Sequence, residues 1–188
     1  MADASSLTNH LLIAMPSLAD PNFAQTVTLV CEHSVDKGAL GIVINKPLPM
    51  TLSEVLAQMK LEPSDPAIGA RAVLRGGPVH KDRGFVVHRP GGAWDSSHAV
   101  SDAVQVTTSR DVLAAMARGE GPRDAFIALG YAGWEVGQLE REMLDNAWLS
   151  LPLDERILFD LPYEERWHAV WRKLGIDVGK VSHFAGHA

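Results

Sequence analysis

Two β-branched stretches joined by a glycine-containing turn decide the fold class: Thr26-Val-Thr-Leu-Val-Cys31 and Leu40-Gly-Ile-Val-Ile44. Valine, isoleucine and threonine favour strands because their branched side chains pack well on a pleated surface. The intervening Ser34-Val-Asp-Lys-Gly38 has the length and the glycine of a hairpin connection. The pair therefore predicts two antiparallel neighbours, so that the sheet is not entirely parallel.

Strand and helix patterns alternate along the rest of the chain. Short β-branched or aromatic runs predict further strands at residues 72–74, 85–88, 104–107 and 126–129. Apolar residues at helical spacing predict helices at residues 51–59, 109–118, 134–144 and 163–174. The first begins with the capping-box form Thr51-Leu-Ser-Glu54. This alternation favours an α/β protein, a layered sandwich around a mixed β-sheet.

Composition and charge limit the classes of function. The chain has 188 residues, of which 46% are hydrophobic and 21% charged, which suits a single globular domain. A net charge of −6, from 17 basic and 23 acidic residues, disfavours direct nucleic-acid binding because phosphates require a cationic surface. The apolar run at residues 11–15 is too short for a signal-peptide core or a membrane span. We therefore expect a cytoplasmic protein with no membrane association.

The single cysteine is the first candidate for chemistry. Cys31 alone permits no intrachain disulfide and no multi-cysteine zinc site. Cys31 and His33 are two residues apart on a predicted strand, so their side chains share a face, and the imidazole could activate the thiol for redox chemistry. The alternative is a small buried thiol near a strand end, which is the commoner environment of a free cysteine. Nothing nearby supplies further metal ligands, and we predict neither a metal site nor a cofactor.

The loop formed by Arg75, Gly76, Gly77 and Pro78 is the second candidate. Two successive glycines let the backbone turn sharply and expose N–H groups, and His80, Lys81 and Arg83 follow closely. Such a nest could hold a phosphate or a carboxylate. The alternative is a tight turn between strands in which the glycines satisfy a positive-φ requirement.

The third candidate is the segment Leu129-Gly-Tyr-Ala-Gly-Trp134, which we interpret as a junction between a strand and a helix. Gly130, Gly133 and Trp134 could bring a ligand close to the helix N-terminus, where the dipole favours anions. The same glycines equally allow a strand and a helix to pack closely. The helix that follows is expected to direct Val136, Leu139 and Met143 inward.

A series of short motifs runs in order from Leu11 to the last residue. They are Leu11-Leu-Ile-Ala-Met-Pro16, Asp20-Pro-Asn-Phe23, Cys31-Glu-His33, Gly38-Ala-Leu-Gly41, Asn45-Lys-Pro47, Gly76-Gly-Pro78, Leu129-Gly-Tyr-Ala-Gly-Trp134, Gln138-Leu-Glu140, Asn146-Ala-Trp148 and Gly186-His-Ala188. Together they resemble the YqgE/AlgH family of bacterial proteins over nearly the whole chain.

The resemblance implies a layered α/β fold of mixed strands with a smaller α/β subdomain in the middle of the chain, and a cytosolic location. It therefore predicts a single AlgH-like domain over residues 1–188, of which residues 1–9 are expected to be flexible. The family carries a provisional label of transcriptional regulator, with no established activity and no catalytic residue set. No catalytic residue can be carried over to this chain.

Two functions from different classes follow. The first is a non-catalytic regulatory role exerted through a protein partner, favoured by the absence of any recognisable reactive motif and by the resemblance. The second is an enzyme or sensor for a small anionic ligand, bound by Arg75, Gly76, Gly77, Pro78, Gly130, Gly133 and Trp134. A third hypothesis makes Cys31, with His33, a redox sensor.

Overall fold

The computed structural model describes residues 6–180, and the chain divides into two compact units. Unit 1 comprises Met1–Lys46 and Ala132–Ala188, and unit 2 comprises Pro47–Tyr131. Unit 2 is thus a single stretch of chain inserted in the middle of unit 1. The terminal motif at residues 186–188 lies outside the described residues.

The described residues form ten strands and five α-helices. The strands are β1 (His10–Ala14), β2 (Val27–Ser34), β3 (Gly38–Val43), β4 (Pro47–Thr51), β5 (Ala72–Arg75), β6 (Val79–His88), β7 (Ser97–Ala99), β8 (Gln105–Thr107), β9 (Phe126–Trp134) and β10 (Trp148–Pro152). The helices are α1 (Leu52–Gln58), α2 (Pro66–Gly69), α3 (Arg110–Ala117), α4 (Gln138–Leu144) and α5 (Tyr163–Lys173), and a π-helical turn spans Arg156–Asp160. None of these helices has the length and apolar composition needed to span a membrane.

Unit 1 is built on antiparallel strands in the order β10-β1-β2-β3, and the last residues of β9 pair with β3. Leu11, Leu12 and Ile13 of β1 are all fully buried, so both faces of this strand are covered. A strand covered on both faces shows a continuous apolar run in place of alternation. A β-bulge between Val30 and Glu32 interrupts the pairing of β2 with β3.

Unit 2 contains the order β4-β5-β9-β6-β8-β7. The β5–β9 pair is parallel, with Val73 opposite Ile127, and the other pairs are antiparallel. Helices α1 and α3 pack on this sheet through a cluster that includes Leu56, Val112 and Ile127. The predicted α/β architecture around a mixed sheet is confirmed.

Local signals located several elements correctly. The backbone amide of Thr51 donates to Glu54 Oε2 at 2.7 Å at the start of α1, which the capping-box pattern predicted. Helix α5 follows Pro162 and ends before Gly175, whose φ of 71° suits a C-terminal stop. Its Trp167 and Trp171 rings contact edge to face, with centroids 5.5 Å apart.

The predicted junction at residues 129–134 is wrong. Strand β9 continues through this segment, because residues beyond Gly130 find new partners: Tyr131 pairs with Val79, and Trp134 pairs with Ala39. Helix α4 therefore begins only at Gln138, after Gly137 in the left-handed conformation. Val136, expected to point inward from a helix, lies before α4 and is 55% exposed.

The prediction that residues 1–9 are flexible falls partly outside the described residues. Those that are described are tied to β2: the backbone amide of Asn9 donates to the carbonyl of Val30, and Ser6 Oγ donates to the carbonyl of His33. Sequence patterns did not indicate β1, β4, β7 or β10. These strands are five residues long or shorter, and their neighbours in the sheet define them.

Candidate functional site

The two glycine segments of unit 2 lie against each other. The Gly76 amide donates to the carbonyl of Leu129 at 2.7 Å. A Cβ atom at Gly76 would collide with the carbonyl oxygen of Gly130, and a Cβ at Gly130 would collide with the carbonyl oxygen of Gly77. Gly130 also has a φ of 78°, which other residues rarely adopt. These glycines are thus required by the close approach of two backbones.

This packing limits the backbone N–H groups that could bind an anion. The Gly76 amide is already hydrogen-bonded within the sheet, and Gly76 and Gly77 are buried, so neither presents a free turn of N–H groups. Arg75 and Pro78 flank them at partial exposure. The structure accounts for the glycines by packing, and the anion site at Arg75 stays a prediction.

The remaining two members of the predicted ligand set, Gly133 and Trp134, belong to unit 1. Trp134 is 6% exposed, and its indole N–H donates to Glu142 Oε2 at 2.8 Å. Trp148 donates to the same oxygen at 2.9 Å, and Gln138 donates to Glu142 Oε1 at 3.1 Å. The Glu142 carboxylate thus accepts three hydrogen bonds and connects β9, α4 and β10.

Aromatic contacts complete this cluster, which we call the tryptophan node (Phe23, Trp134, Glu142 and Trp148). The rings of Trp134 and Trp148 meet edge to face with centroids 5.9 Å apart, and Phe23 lies 5.5 Å from Trp148 and 6.3 Å from Trp134. Such pairs contribute about 0.5–1.5 kcal/mol each beyond their buried area. The node gives Trp134 a structural role in unit 1.

Cys31 and His33 occupy separate environments. Cys31 is 2% exposed, and burial, with a smaller contribution from Glu32, raises the pKa of its thiol to about 12. A thiol with this pKa carries almost no thiolate at neutral pH, and the thiolate is the reactive species. The environment of Cys31 therefore argues against an activated thiol, and the redox hypothesis stays a prediction.

The buried His33 pairs with the partly exposed Glu140, a contact that sequence analysis missed. The Leu7 amide donates to His33 Nδ1 at 2.9 Å, so the ring proton lies on Nε2, which donates to Glu140 Oε1 at 2.8 Å. Both ring nitrogens are thus occupied by the protein. The pKa of the Glu140 carboxyl is held below its usual range first by its own backbone amide and, against the opposing effect of burial, by the hydrogen bond from His33. The pair fixes α4 to β2.

A groove of about 1200 Å³ runs along α5 in unit 1. Trp167 and Trp171 lie one helical turn apart in its wall, and His168 and Arg172 form the adjacent row. Lys46 contributes a third basic group. The remaining lining residues are mainly apolar or glycine: Pro16, Leu18, Ala24, Gln25, Gly175, Ile176, Asp177, Val178 and Gly179.

Two buried polar residues hold the walls of this groove. Asn45 Oδ1 accepts from the Val27 amide at 2.8 Å, and its Nδ2 donates to the carbonyl of Gln25 at 2.9 Å. Arg166 on α5 donates through Nη1 to the carbonyl of Ile44 at 2.6 Å. Burial lowers the pKa of Arg166 to about 10, so the guanidinium remains charged at neutral pH. These bonds place Gln25 and α5 on the groove.

The groove also contains a residue with an unsatisfied donor. Trp171 is 1% exposed, and its indole N–H has no hydrogen-bond partner among residues 6–180. A buried donor without an acceptor costs about 1–3 kcal/mol. Arg172 and His168 are exposed and form no side-chain hydrogen bond within the described chain.

The structure indicates no metal centre among residues 6–180. In that part of the chain, no group of three or more His, Cys, Asp or Glu side chains is placed to hold a metal ion.

Comparison with known proteins places this chain. It belongs to the AlgH-like family, whose model matches residues 11–179. A UPF0301 protein of Thioalkalivibrio sulfidiphilus is 56% identical over the full length of both chains. A UPF0301 protein of Stenotrophomonas maltophilia is 50% identical over 97% of each. These names state no activity, so the family identifies the chain without identifying a reaction.

Solved structures support the same assignment. The solution structure of the AlgH protein from Pseudomonas aeruginosa is 49% identical and matches with a TM-score of 0.81, covering 100% of this chain and 99% of that one. A crystal structure of a Corynebacterium diphtheriae protein matches with a TM-score of 0.72 at 17% identity, over 97% and 94% of the chains. The second match shows a shared fold only.

Proposed function

We propose that this chain is a non-catalytic binding protein whose unit 1 groove holds an acidic segment of a protein partner. The observation that carries the proposal is the groove along α5, in which two tryptophans form an apolar wall beside the basic Lys46, His168 and Arg172. Occupancy of this groove would be the regulatory event, and we place that event in the cytoplasm.

The charges of the groove support an acidic partner. The chain as a whole carries a net charge of −6, whereas the groove is lined by two cations and one acid, Asp177. The Asp177 carboxylate accepts a hydrogen bond from the Gly179 amide at 3.0 Å, and this bond partly offsets its negative charge. A groove more positive than the molecule around it attracts carboxylates selectively.

The aromatic wall supports a segment with an apolar anchor. Trp167 and Trp171 are 8% and 1% exposed and form a rigid aromatic base, and the partly exposed Leu18, Ile176 and Val178 of the same groove offer the apolar area that an anchor residue could cover. The volume exceeds what a single small ligand needs and suits several residues of an extended chain. An acceptor brought near the Trp171 N–H would relieve its missing hydrogen bond.

A random-peptide display selection tests the proposal with no assumed partner. The full chain should enrich peptides that combine Asp or Glu with an aromatic or branched aliphatic residue. Arg172→Glu should weaken the best peptide by roughly tenfold or more, since it replaces attraction by repulsion. Lys37→Glu, in an exposed turn outside the groove, is the matched charge reversal and should leave affinity unchanged.

Two results would contradict the proposal. One is enrichment of peptides with no acidic preference, which would remove the electrostatic argument. The other is equal loss of affinity in Arg172→Glu and Lys37→Glu, because the effect would then follow net charge and not the groove. Circular dichroism of both variants establishes that they are folded.

A further inference from the structure

Unit 2 contains a cavity of its own, independent of the proposed groove. It encloses about 490 Å³, within the range of small-molecule sites. Its interior is apolar and comes from α1, α3 and the sheet: Met50, Val55, Met59, Leu113, Ile127 and Leu129. Two methionines give this wall an adaptable surface, because the unbranched thioether repacks easily around an apolar guest.

A glycine makes room for this cavity. Gly84 lies inside β6, where glycine weakens a strand and often marks close approach of something else. Its φ is not in the left-handed region, and a Cβ there would meet only Ile127 Cδ1 at 3.4 Å and Leu129 Cδ2 at 3.8 Å, which are ordinary contacts. Backbone conformation and crowding therefore do not require glycine. Both contacted residues line the cavity, so a side chain at this position would enter it.

The mouth of the cavity carries two opposite charges. Lys81 and Asp82 line it from β6, where the register with β9 shifts between Val79 and Gly84. Both side chains are exposed, and neither forms a hydrogen bond or an ion pair with another residue in the described part of the chain. Gln58 and Thr108 are the other polar residues at the cavity.

We propose that this cavity binds a free α-amino acid with an apolar side chain. The side chain would occupy the pocket between Met50, Met59 and Leu113, the α-carboxylate would meet Lys81, and the α-ammonium would meet Asp82. A fatty acid or an alkylamine matches only one of the two charges and leaves the other beside its own like charge. The zwitterionic head is the ligand chemistry that matches both.

Titration of the full chain with L-leucine and L-methionine tests this assignment. Amide chemical shifts of residues 81–84 should move saturably, and calorimetry should give one site. The probes 4-methylpentanoate, which lacks the ammonium group, and 3-methylbutylamine, which lacks the carboxylate, should each bind at least fivefold more weakly. No saturable shift with either amino acid at roughly 10 mM would overturn the proposal. Equal binding of all four probes would overturn the zwitterionic assignment.

Substitutions test the apolar pocket and the charged groups at its mouth separately. Gly84→Leu should abolish binding because its side chain fills the pocket, and the melting temperature should not fall. Lys81→Gln should weaken L-leucine about tenfold but should not weaken 3-methylbutylamine, whose ammonium it relieves of a like charge, whereas Lys37→Gln outside the cavity should change neither. Retained leucine affinity in Gly84→Leu would overturn the site. If Gly84→Leu fails to fold, the Lys81→Gln comparison between the two probes decides by itself.

Discussion

The groove of unit 1 and the cavity of unit 2 are formed in opposite ways. The groove exists because large side chains on α5, Trp167 and Trp171, form a wall beside polar and cationic neighbours. The cavity exists because one side chain is missing, at Gly84, between apolar neighbours. The first is open and suits part of another chain, whereas the second is smaller and suits a small molecule. The two proposed binding surfaces differ in chemistry and can therefore be tested by separate substitutions.

The largest effect should come from contrasting two glycines of unit 2. Gly130→Ala places a Cβ against the backbone of Gly77 at a positive φ, and we expect a loss of about 3 kcal/mol or more in the free energy of unfolding. Gly84→Ala meets no such obstacle and should be neutral or stabilise by up to about 1 kcal/mol. Urea unfolding measures both. Equal destabilisation would mean that the cavity at Gly84 is not open space.

The second-largest effect should come from the tryptophan node, and it tests how much the node contributes to the stability of unit 1. Glu142→Ala removes the acceptor of two buried indole N–H groups, Trp134 and Trp148, and each unsatisfied donor costs about 1–3 kcal/mol. We therefore expect a loss of about 2–4 kcal/mol by denaturant unfolding. The exposed Arg141→Ala on the same helix is the control and should stay within about 0.5 kcal/mol. A loss in Glu142→Ala no larger than the control would contradict the role of the node.

The smallest expected effect is a loss of stability at acidic pH, which should come from a buried histidine of unit 2. His88 in unit 2 is fully buried; its Nδ1 donates to the Arg89 carbonyl and its Nε2 accepts from Thr107. Burial lowers the pKa of His88 below 6.5, partly offset by the Arg89 hydrogen bond. The unfolded state then binds more protons, so this stabilisation is complete above pH 6.5 and is lost as pH falls toward the folded pKa.

Urea unfolding of wild type and His88→Gln between pH 7.5 and 5 checks this sign. Wild type should lose stability on acidification, and the variant should lose less, because glutamine does not titrate. Arg166, a buried base of unit 1, has a pKa of about 10 and stays charged throughout. An identical pH slope in wild type and His88→Gln would show that other groups set the acid response.

Local sequence signals predicted much of the fold. Helices α1 and α5 followed from caps and apolar spacing, and the β2–β3 hairpin followed from its branched residues and Gly38. Strand β9 was truncated in the prediction because glycines are poor strand formers. Pairing with Val79 and Ala39 overrides that preference, and such pairing is a tertiary property.

The candidate sites were harder to predict, for the same reason. Gly76 and Gly130 were correctly singled out, but only their mutual contact shows that packing requires them. The His33–Glu140 pair joins residues 107 positions apart, and no short motif encodes that distance. Gly84 stands directly before the strand predicted at residues 85–88, and only the extension of β6 back to Val79 places this glycine inside a strand, where it can mark a close approach.

The tryptophan node also fixes what fluorescence can report about this protein. Of five tryptophans, four belong to unit 1: two are held on Glu142 in the node, and two line the groove. Unit 2 has only Trp94, whose indole N–H donates to the carbonyl of Gly91 at 2.9 Å. Four of the five tryptophan emitters of the chain therefore report on unit 1. The difference between wild type and a Trp94→Phe variant would give unit 2 an optical signal of its own and leave the four buried tryptophans of unit 1 in place.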